Sequence, residues 1–318
     1  MSRGVPQGSC LSPLFFNIYV RDLPAASSAD TWQFADDVTQ SEVADTVDSI
    51  VSKLTATYHQ TKQFCQSKHL EINPSKTQFI IFKTPAKKIA DDIELTIDSV
   101  TVKVERQVKI LGMTLDRHLT FKNHISNVVN TCNGLIGVLR KVVHRLPRKL
   151  CKLFYTAIIR SNLEYASALL VPVAKTHLEK LDIVQRKAAR LICHVPADSH
   201  AEPLLNELGL LPLQDRRVQH LLSIVTACIE HKSHPNFNQN FFQEFSRENE
   251  LCLPVTKTVF GKKRFSCVGA AFYNDASTTI QGTHQAHEKG SASQRYASKN
   301  KTTDSGQASS SAFTTING

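Results

Sequence analysis

The sequence predicts an α+β fold in three successive parts: an antiparallel sheet with helices over residues 1–116, an all-helical region over 117–276 and a disordered tail over 277–318. Three observations carry that reading. Short apolar runs that alternate or cluster, broken by Asp, Pro and Gly, recur through the first part. Beyond residue 116 the apolar positions fall at helical spacing instead. From 277 onward the chain is Ser, Thr, Gly, Gln, Ala and Lys with hardly an aromatic, too little to bury for a fold of its own.

Residues 4–7 form a loop or turn because Gly and Pro punctuate them, and the apolar run over 14–20 follows as a helix. Residues 32–35 reach two adjacent acids, Asp36 and Asp37, and continue as Val38-Thr39, which reads as strand, acidic turn, strand. Between 43 and 68, Val43, Val47, Ile50, Val51, Leu54, Tyr58 and Phe64 sit near helical spacing, so one long amphipathic helix covers a face. Residues 70–72, 78–82, 93–97 and 100–104 pattern as strands, with a tight turn at Asp98-Ser99 between the last two. Residues 107–115 form a further strand, where Gly112 marks a bend or close backbone approach. Helices are expected over 122–143, 147–159, 175–192 and 213–230, with Pro147 at a first-turn position and further prolines in the connections. No internal repeat is evident.

With 38 Lys and Arg against 28 Asp and Glu, the formal charge is +10, which favours polyanionic partners, nucleic acid first among them. Arg140, Lys141, Arg145, Arg148, Lys149, Lys152, Arg186, Lys187 and Arg190 crowd the helical part. Solvated helix faces account for most such charges, and a nucleic-acid track requires that they share a side. No stretch approaches the roughly 20 apolar residues of a membrane span, and no signal peptide follows Met1. A membrane partner and secretion are therefore not expected, and no protein partner is indicated. Eight scattered cysteines without a C-x-x-C pair read as buried thiols in a reducing compartment, not as zinc ligands or a disulfide framework. The pairs His118/His124 and His231/His234 lack a nearby thiolate or carboxylate and read as chance neighbours.

Taken alone, Phe34-Ala35-Asp36-Asp37 is most often only a polar hairpin tip. Two carboxylates on a rigid hairpin can, however, hold divalent ions. One ion activates a primer 3′-hydroxyl and the other neutralises the leaving pyrophosphate. Magnesium suits that work because it takes oxygen ligands and shares its shell with phosphates. The upstream run Gly4-Val5-Pro6-Gln7-Gly8-Ser9-Cys10-Leu11-Ser12-Pro13-Leu14-Phe15-Phe16-Asn17-Ile18-Tyr19 decides between these readings. It closely resembles the G-V-P-Q-G-S-x-L-S-P-L-L-F-N-x-Y signature of reverse transcriptases, and such a run followed by F-A-D-D is highly specific. Within that family the pattern looks most like non-LTR (LINE-type) retrotransposons of the jockey-like group.

Later segments agree in order. Leu70 through Thr77 (LEINPSKT) resembles the block after the long palm helix, and Val108 through Asp116 (VKILGMTLD) the primer-grip strand. Asn123-His124-Ile125 resembles the entry to the thumb, and Arg160-Ser161-Asn162-Leu163-Glu164-Tyr165 and Gln185 through Arg190 the thumb and the region beyond it. Tyr273-Asn274 stands where the family usually has Trp-Asn, so the resemblance covers about residues 3–276.

The resemblance implies the second half of a right-hand polymerase palm over 1–116, a helical thumb and downstream region over 117–276, and RNA-directed DNA synthesis by two-metal nucleotidyl transfer. Asp36 would be the principal metal ligand and Asp37 its companion, with Mg2+ as the ion and Mn2+ as the alternative. Gln7, Gly8 and Phe34 would line the dNTP pocket, Phe34 packing beneath the acids. Lys76 would protonate or neutralise pyrophosphate, and Leu111 and Gly112 would grip the primer. Partners would be an RNA template, the RNA–DNA duplex and dNTP, with nuclear or cytoplasmic action. The family's first palm aspartate lies upstream of the G-V-P-Q-G motif, so this sequence reads as N-terminally truncated and inactive alone. The alternatives are a basic RNA- or DNA-binding remnant and an inert relic. An intron-encoded maturase fits less well, since its thumb is not expected to resemble residues 160–165.

Overall fold

A computed structural model describes residues 4–98, 100–230, 242, 250–256, 258, 260–283 and 310–316. The chain divides into two units, residues 1–120 with 307–318, and residues 121–306.

The first unit opens with helix α1 (Ser12–Val20) and a short 3-10 turn, then the hairpin β1 (Asp30–Phe34) and β2 (Asp37–Ala44). Helix α2 (Val47–Ser67) starts where Thr46 caps it, its side chain accepting from the Ser49 amide. Thr46 lies after Val43, so Val43 belongs to β2 and not to the helix that the spacing predicts from 43 onward. Strands β3 (Gln78–Phe82), β4 (Glu94–Ile97) and β5 (Val100–Glu105) follow near the expected positions. Asp98 turns at positive φ between β4 and β5, and Ser99 lies outside the described residues. Residues 70–72, expected as a strand, are not one: the chain leaves α2 in a left-handed bend at His69 and goes on to the Pro74–Lys76 3-10 turn.

The sequence predicts one strand over 107–115, but the structure has a hairpin there. Strands β6 (Gln107–Ile110) and β7 (Met113–Asp116) pair with Ile110 opposite Met113. Leu111 and Gly112 form the turn at φ +45° and +82°. Two positive φ values are what a mirror-image two-residue turn demands, and glycine at the second position makes it accessible. An apolar pattern alone cannot separate one nine-residue strand from two short ones.

The main sheet has the order β1-β2-β8-β3-β5-β4. Strand β8 (Ser310–Ile316) comes from the segment whose composition predicts disorder, and it lies antiparallel to both β2 and β3. Its T-T-I end has strand propensity, and the flanking strands offer two open ladders that its backbone satisfies. Of the rest of that expected tail, residues 284–309 lie outside the described residues.

Alternation in β3 assigns the two faces of the sheet. Phe79 and Ile81 pack with Ile50, Leu54 and Tyr58 of α2, while Ile80 and Phe82 pack with Val108 of β6. These four of the five β3 side chains are at most 3% exposed, so β3 is an interior strand covered on both sides.

Apart from the bridge residue Leu251, the regular secondary structure among the second unit's described residues is helical. It contains α3 (Lys122–Val142), α4 (Arg148–Phe154), α5 (Arg160–Glu164), α6 (Lys175–Ile192), α7 (Ala201–Glu207), α8 (Leu213–Glu230) and α9 (Phe265–Thr283). Where one helix is expected over 147–159, a π-turn over Tyr155–Ile159 joins α4 to α5. Helix α9 passes the expected start of the tail at 277, because its apolar stretch (Val268, Ala270, Phe272) packs with Leu221 and Val225 of α8.

Candidate active site

The acids sit at the tip of β1–β2. Phe34 pairs with Asp37, leaving Ala35 and Asp36 as the turn, and Ala35 takes φ +54°. Side chains of L-residues disfavour that region by about 1 kcal/mol, so the hairpin needs an anchor. Gln40 supplies one. It is 1% exposed and its Nε2 donates to Thr61 Oγ1 of α2 at 2.8 Å, with Ser27 Oγ and Thr31 Oγ1 at 3.1 and 3.2 Å. Val38 joins the core on the α2 side. Since successive strand residues alternate, Asp37 projects from the opposite face, the one on which β6–β7 covers β3. Asp36 is exposed at the turn.

Register brings further residues to this end of the sheet. Thr315 of β8 pairs with Thr39 on one side and Gln78 on the other, so β2 and β3 begin at one level. Two strand spacings separate them, about 10 Å. Lys76, exposed on the 3-10 turn just before β3, therefore lies at the same end as Asp36 and Asp37. Asn73 orders that turn, its Oδ1 accepting from the Ser75 amide at 3.1 Å and the Ser75 hydroxyl at 2.6 Å.

The β6–β7 hairpin with Leu111 and Gly112 shares the face of Asp37. Its base is held at the other end of β3, where Lys83 N donates to Arg117 O at 3.0 Å. Arg117 and Arg106 both pair with Asp91 and hold its carboxyl well below the usual range, at about 2.

Gln7 and Gly8 are placed differently. They form a glycine-dependent turn in which Ser9 N donates to Pro6 O at 3.4 Å and Gly8 takes φ +87°. Ser12 Oγ donates to Pro6 O at 2.5 Å and fixes the turn to the start of α1. Helix α1 is tied to the end of α2, where Tyr19 Oη donates to Lys68 O at 2.5 Å. Gln7 itself is exposed and is not bonded to either acid.

Phe34 departs from expectation. At 66% exposed it does not pack beneath the acids, because it ends β1 on the outer edge of the sheet, where no described element covers it. Sequence reasoning overlooked Gln40, whose signal was an amide at a β2 position bracketed by apolar and small residues. It placed Asp98 in a turn but missed its anchoring role: its carboxylate accepts from Tyr58 Oη at 2.7 Å and Lys62 Nζ at 2.5 Å and so docks the β4–β5 turn on α2.

As a metal site the hairpin is partial. Two adjacent carboxylates can contact a divalent ion, but a two-ion centre needs more anionic ligands than two residues supply. Among the described residues no group of three or more His, Cys, Asp or Glu could hold a metal ion. The described residues do not make a complete donor set for magnesium or manganese.

In the helical unit, Arg140, Lys141, Arg145 and Lys149 are exposed around the junction of α3 and α4. Arg148 is occupied by Glu207 at 2.6 Å, Arg186 by Glu179, and Arg190 by the Ser199 carbonyl at 2.7 Å. Of the nine basic residues singled out in the sequence, four thus form a local exposed cluster and three are held by structural partners. No helix among the described residues is long and apolar enough to cross a membrane.

Residues 1–115 match the family model of reverse transcriptase (RNA-dependent DNA polymerase). The chain is 26% identical over 250 residues to the RNA-directed DNA polymerase from mobile element jockey of Drosophila melanogaster, covering 74% of this chain and 26% of that protein. A probable RNA-directed DNA polymerase from transposon BS of the same species is 25% identical over 232 residues, 69% of this chain and 25% of that one. The jockey polymerase of Drosophila funebris is 28% identical over 210 residues, 61% of this chain and 22% of that protein. The chain therefore spans about a quarter of the length of these relatives. No solved structure matches. With the acidic hairpin, the motif run before it and the relatives all in agreement, residues 1–115 match the reverse transcriptase family model, and the chain is similar to the RNA-directed DNA polymerases of jockey and other non-LTR retrotransposons.

Proposed function

We propose that the first unit is the acidic-hairpin part of an RNA-directed DNA polymerase palm, and that the helical unit is its thumb and grips template–primer duplex. The carrying observation is Asp36 and Asp37 at the tip of an anchored β-hairpin, downstream of the Gly4–Tyr19 motif run. Asp36 and Asp37 would contribute carboxylates to a divalent-ion site, with Mg2+ the natural ion for phosphate chemistry and Mn2+ a substitute. Lys76, at the same end of the sheet, would meet the polyphosphate of a dNTP. Gln7 and Gly8 would approach the nucleotide through backbone, and Leu111 and Gly112 the primer end.

The donor set, incomplete among the described residues, supports a second part of the reading: the chain alone does not extend a primer until a further carboxylate joins Asp36 and Asp37. Primer extension on an RNA template with Mg2+ and dNTPs is the test. No product is expected from the chain alone, and product that vanishes in Asp36→Asn would overturn that part. A second reading, a basic remnant that binds nucleic acid without chemistry, is favoured by the exposed cluster at Arg140, Lys141, Arg145 and Lys149. It predicts duplex binding indifferent to loss of both acids.

A further inference from the structure

Strands β2 and β3 are consecutive in sequence, joined through α2, yet they are not neighbours in the sheet. Both run antiparallel to β8, so they are parallel to each other with a gap one strand wide between them. That gap cannot stay empty without cost. Strand β3 pairs with β5 at Phe79 and Ile80, whereas Ile81 pairs with Ala312 across the gap, next to Phe82 opposite Ser311. All of these β3 positions are buried, so with the gap open the Ile81 backbone would lose its ladder partner Ala312 where water is scarce.

What fills the gap arrives from far away in the chain. β8 matches seven residues of β2 and five of β3 through backbone pairing. Recognition of this kind reads direction and length more than side-chain identity. Its register ends with Ile316 opposite Val38, the residue after Asp37. The other sheet neighbour of Asp37 is its own hairpin mate, Phe34. The gap is thus the one strand position beside the acids that the hairpin does not itself occupy. Ser310–Ile316 brings no carboxylate there.

We propose that the space between β2 and β3 is a strand-acceptor slot, and that the C-terminal strand β8 is its exchangeable plug. The plug completes the sheet but occludes the position from which a carboxylate-bearing strand would reach Asp36 and Asp37. The importance of that position rests on the polymerase reading. The slot itself does not.

The test uses the full chain and a fluorescein-labelled peptide with the sequence of residues 308–318, followed by anisotropy. Thr314 pairs with both Gln40 and Phe79, so Thr314→Pro removes a ladder donor at the centre of the plug and breaks its fit. At least tenfold tighter capture of the peptide is expected in this variant than in the unaltered chain. Oxidising a Thr39→Cys/Thr315→Cys pair should abolish capture, since these positions face each other across the ladder. Equal capture by the Thr314→Pro and unaltered chains, or capture that survives the cross-link, would overturn the proposal. Hydrogen exchange on the unaltered chain gives a readout without any variant. Excess peptide should strip protection from amides 311–315 while Ile81 and Phe82 stay protected. Tail amides that exchange at the rate of free chain before any peptide is added would also overturn it. Neither measurement involves metal, nucleotide or template, so a failed primer-extension assay leaves it standing.

Discussion

Glu164 is a largely covered charge in the helical unit. Its side chain is 11% exposed and receives a two-pronged bond from Arg216, Nε to Oε1 at 2.8 Å and Nη2 to Oε2 at 2.7 Å. Arg160 Nε and His220 Nε2 approach the same carboxylate at 3.7 and 3.8 Å. The pair joins α5 to α8 through residues 52 apart in the chain. Burial alone would raise the Glu164 pKa, but the Arg216 hydrogen bond and the charges of Arg216, Arg160 and His220 outweigh it and hold the pKa below the ordinary value.

Glu164→Gln keeps the volume and removes the charge, leaving Arg216 against an amide. Removing one partner of a fully buried pair costs about 3–5 kcal/mol. Arg216 retains 25% exposure and recovers some hydration, so about 2–3 kcal/mol is expected here. With a urea dependence of about 2 kcal/mol per M, the unfolding midpoint should fall by about 1–1.5 M. The pH dependence follows from the depressed pKa. The stabilisation is complete above the unfolded glutamate value of about 4.3. It is lost as pH falls through the lower folded value. The variant should therefore show a flatter acid limb as well as a lower plateau. A midpoint within about 0.3 M of the parent, with an unchanged acid limb, would refute the reasoning.

Other consequences are open to measurement. Phe79→Ala empties a fully buried position between β3 and α2 and should cost about 4 kcal/mol of stability by chemical denaturation. Leu111 sits at φ +45° and is 47% exposed, so Leu111→Asn would create an Asn-Gly turn at little loss of burial. It should stabilise the hairpin by about 1 kcal/mol, seen as a higher Tm. If the Leu111 side chain also holds the primer end, template–primer affinity should fall while stability rises. Reversing Arg140, Lys141, Arg145 and Lys149 to Glu should weaken duplex binding and flatten its salt dependence by a slope of roughly 3 to 4 if each meets one phosphate. An unchanged slope would place the contact elsewhere.

Much of the local structure was legible because it is written in short-range chemistry. Helix α6 lies at residues 175–192 and α8 at 213–230, where the apolar spacing put them, and the acidic hairpin lies between two alternating runs. The family resemblance was legible too, in the Gly4–Tyr19 run and Phe34-Ala35-Asp36-Asp37, because such motifs are contiguous. What the sequence could not announce was pairing between distant segments. The 107–115 run reads equally as one strand or two until Leu111 and Gly112 are seen at positive φ. Gln40 reads as one polar strand residue until Thr61 is found beneath it, and Phe34 reads as core until the sheet edge leaves it bare. Above all, the low-complexity composition of the last residues carries no sign that Ser310–Ile316 lies between β2 and β3. A backbone ladder demands no particular side chains, so tertiary structure alone decided which strand closes the sheet beside Asp36 and Asp37.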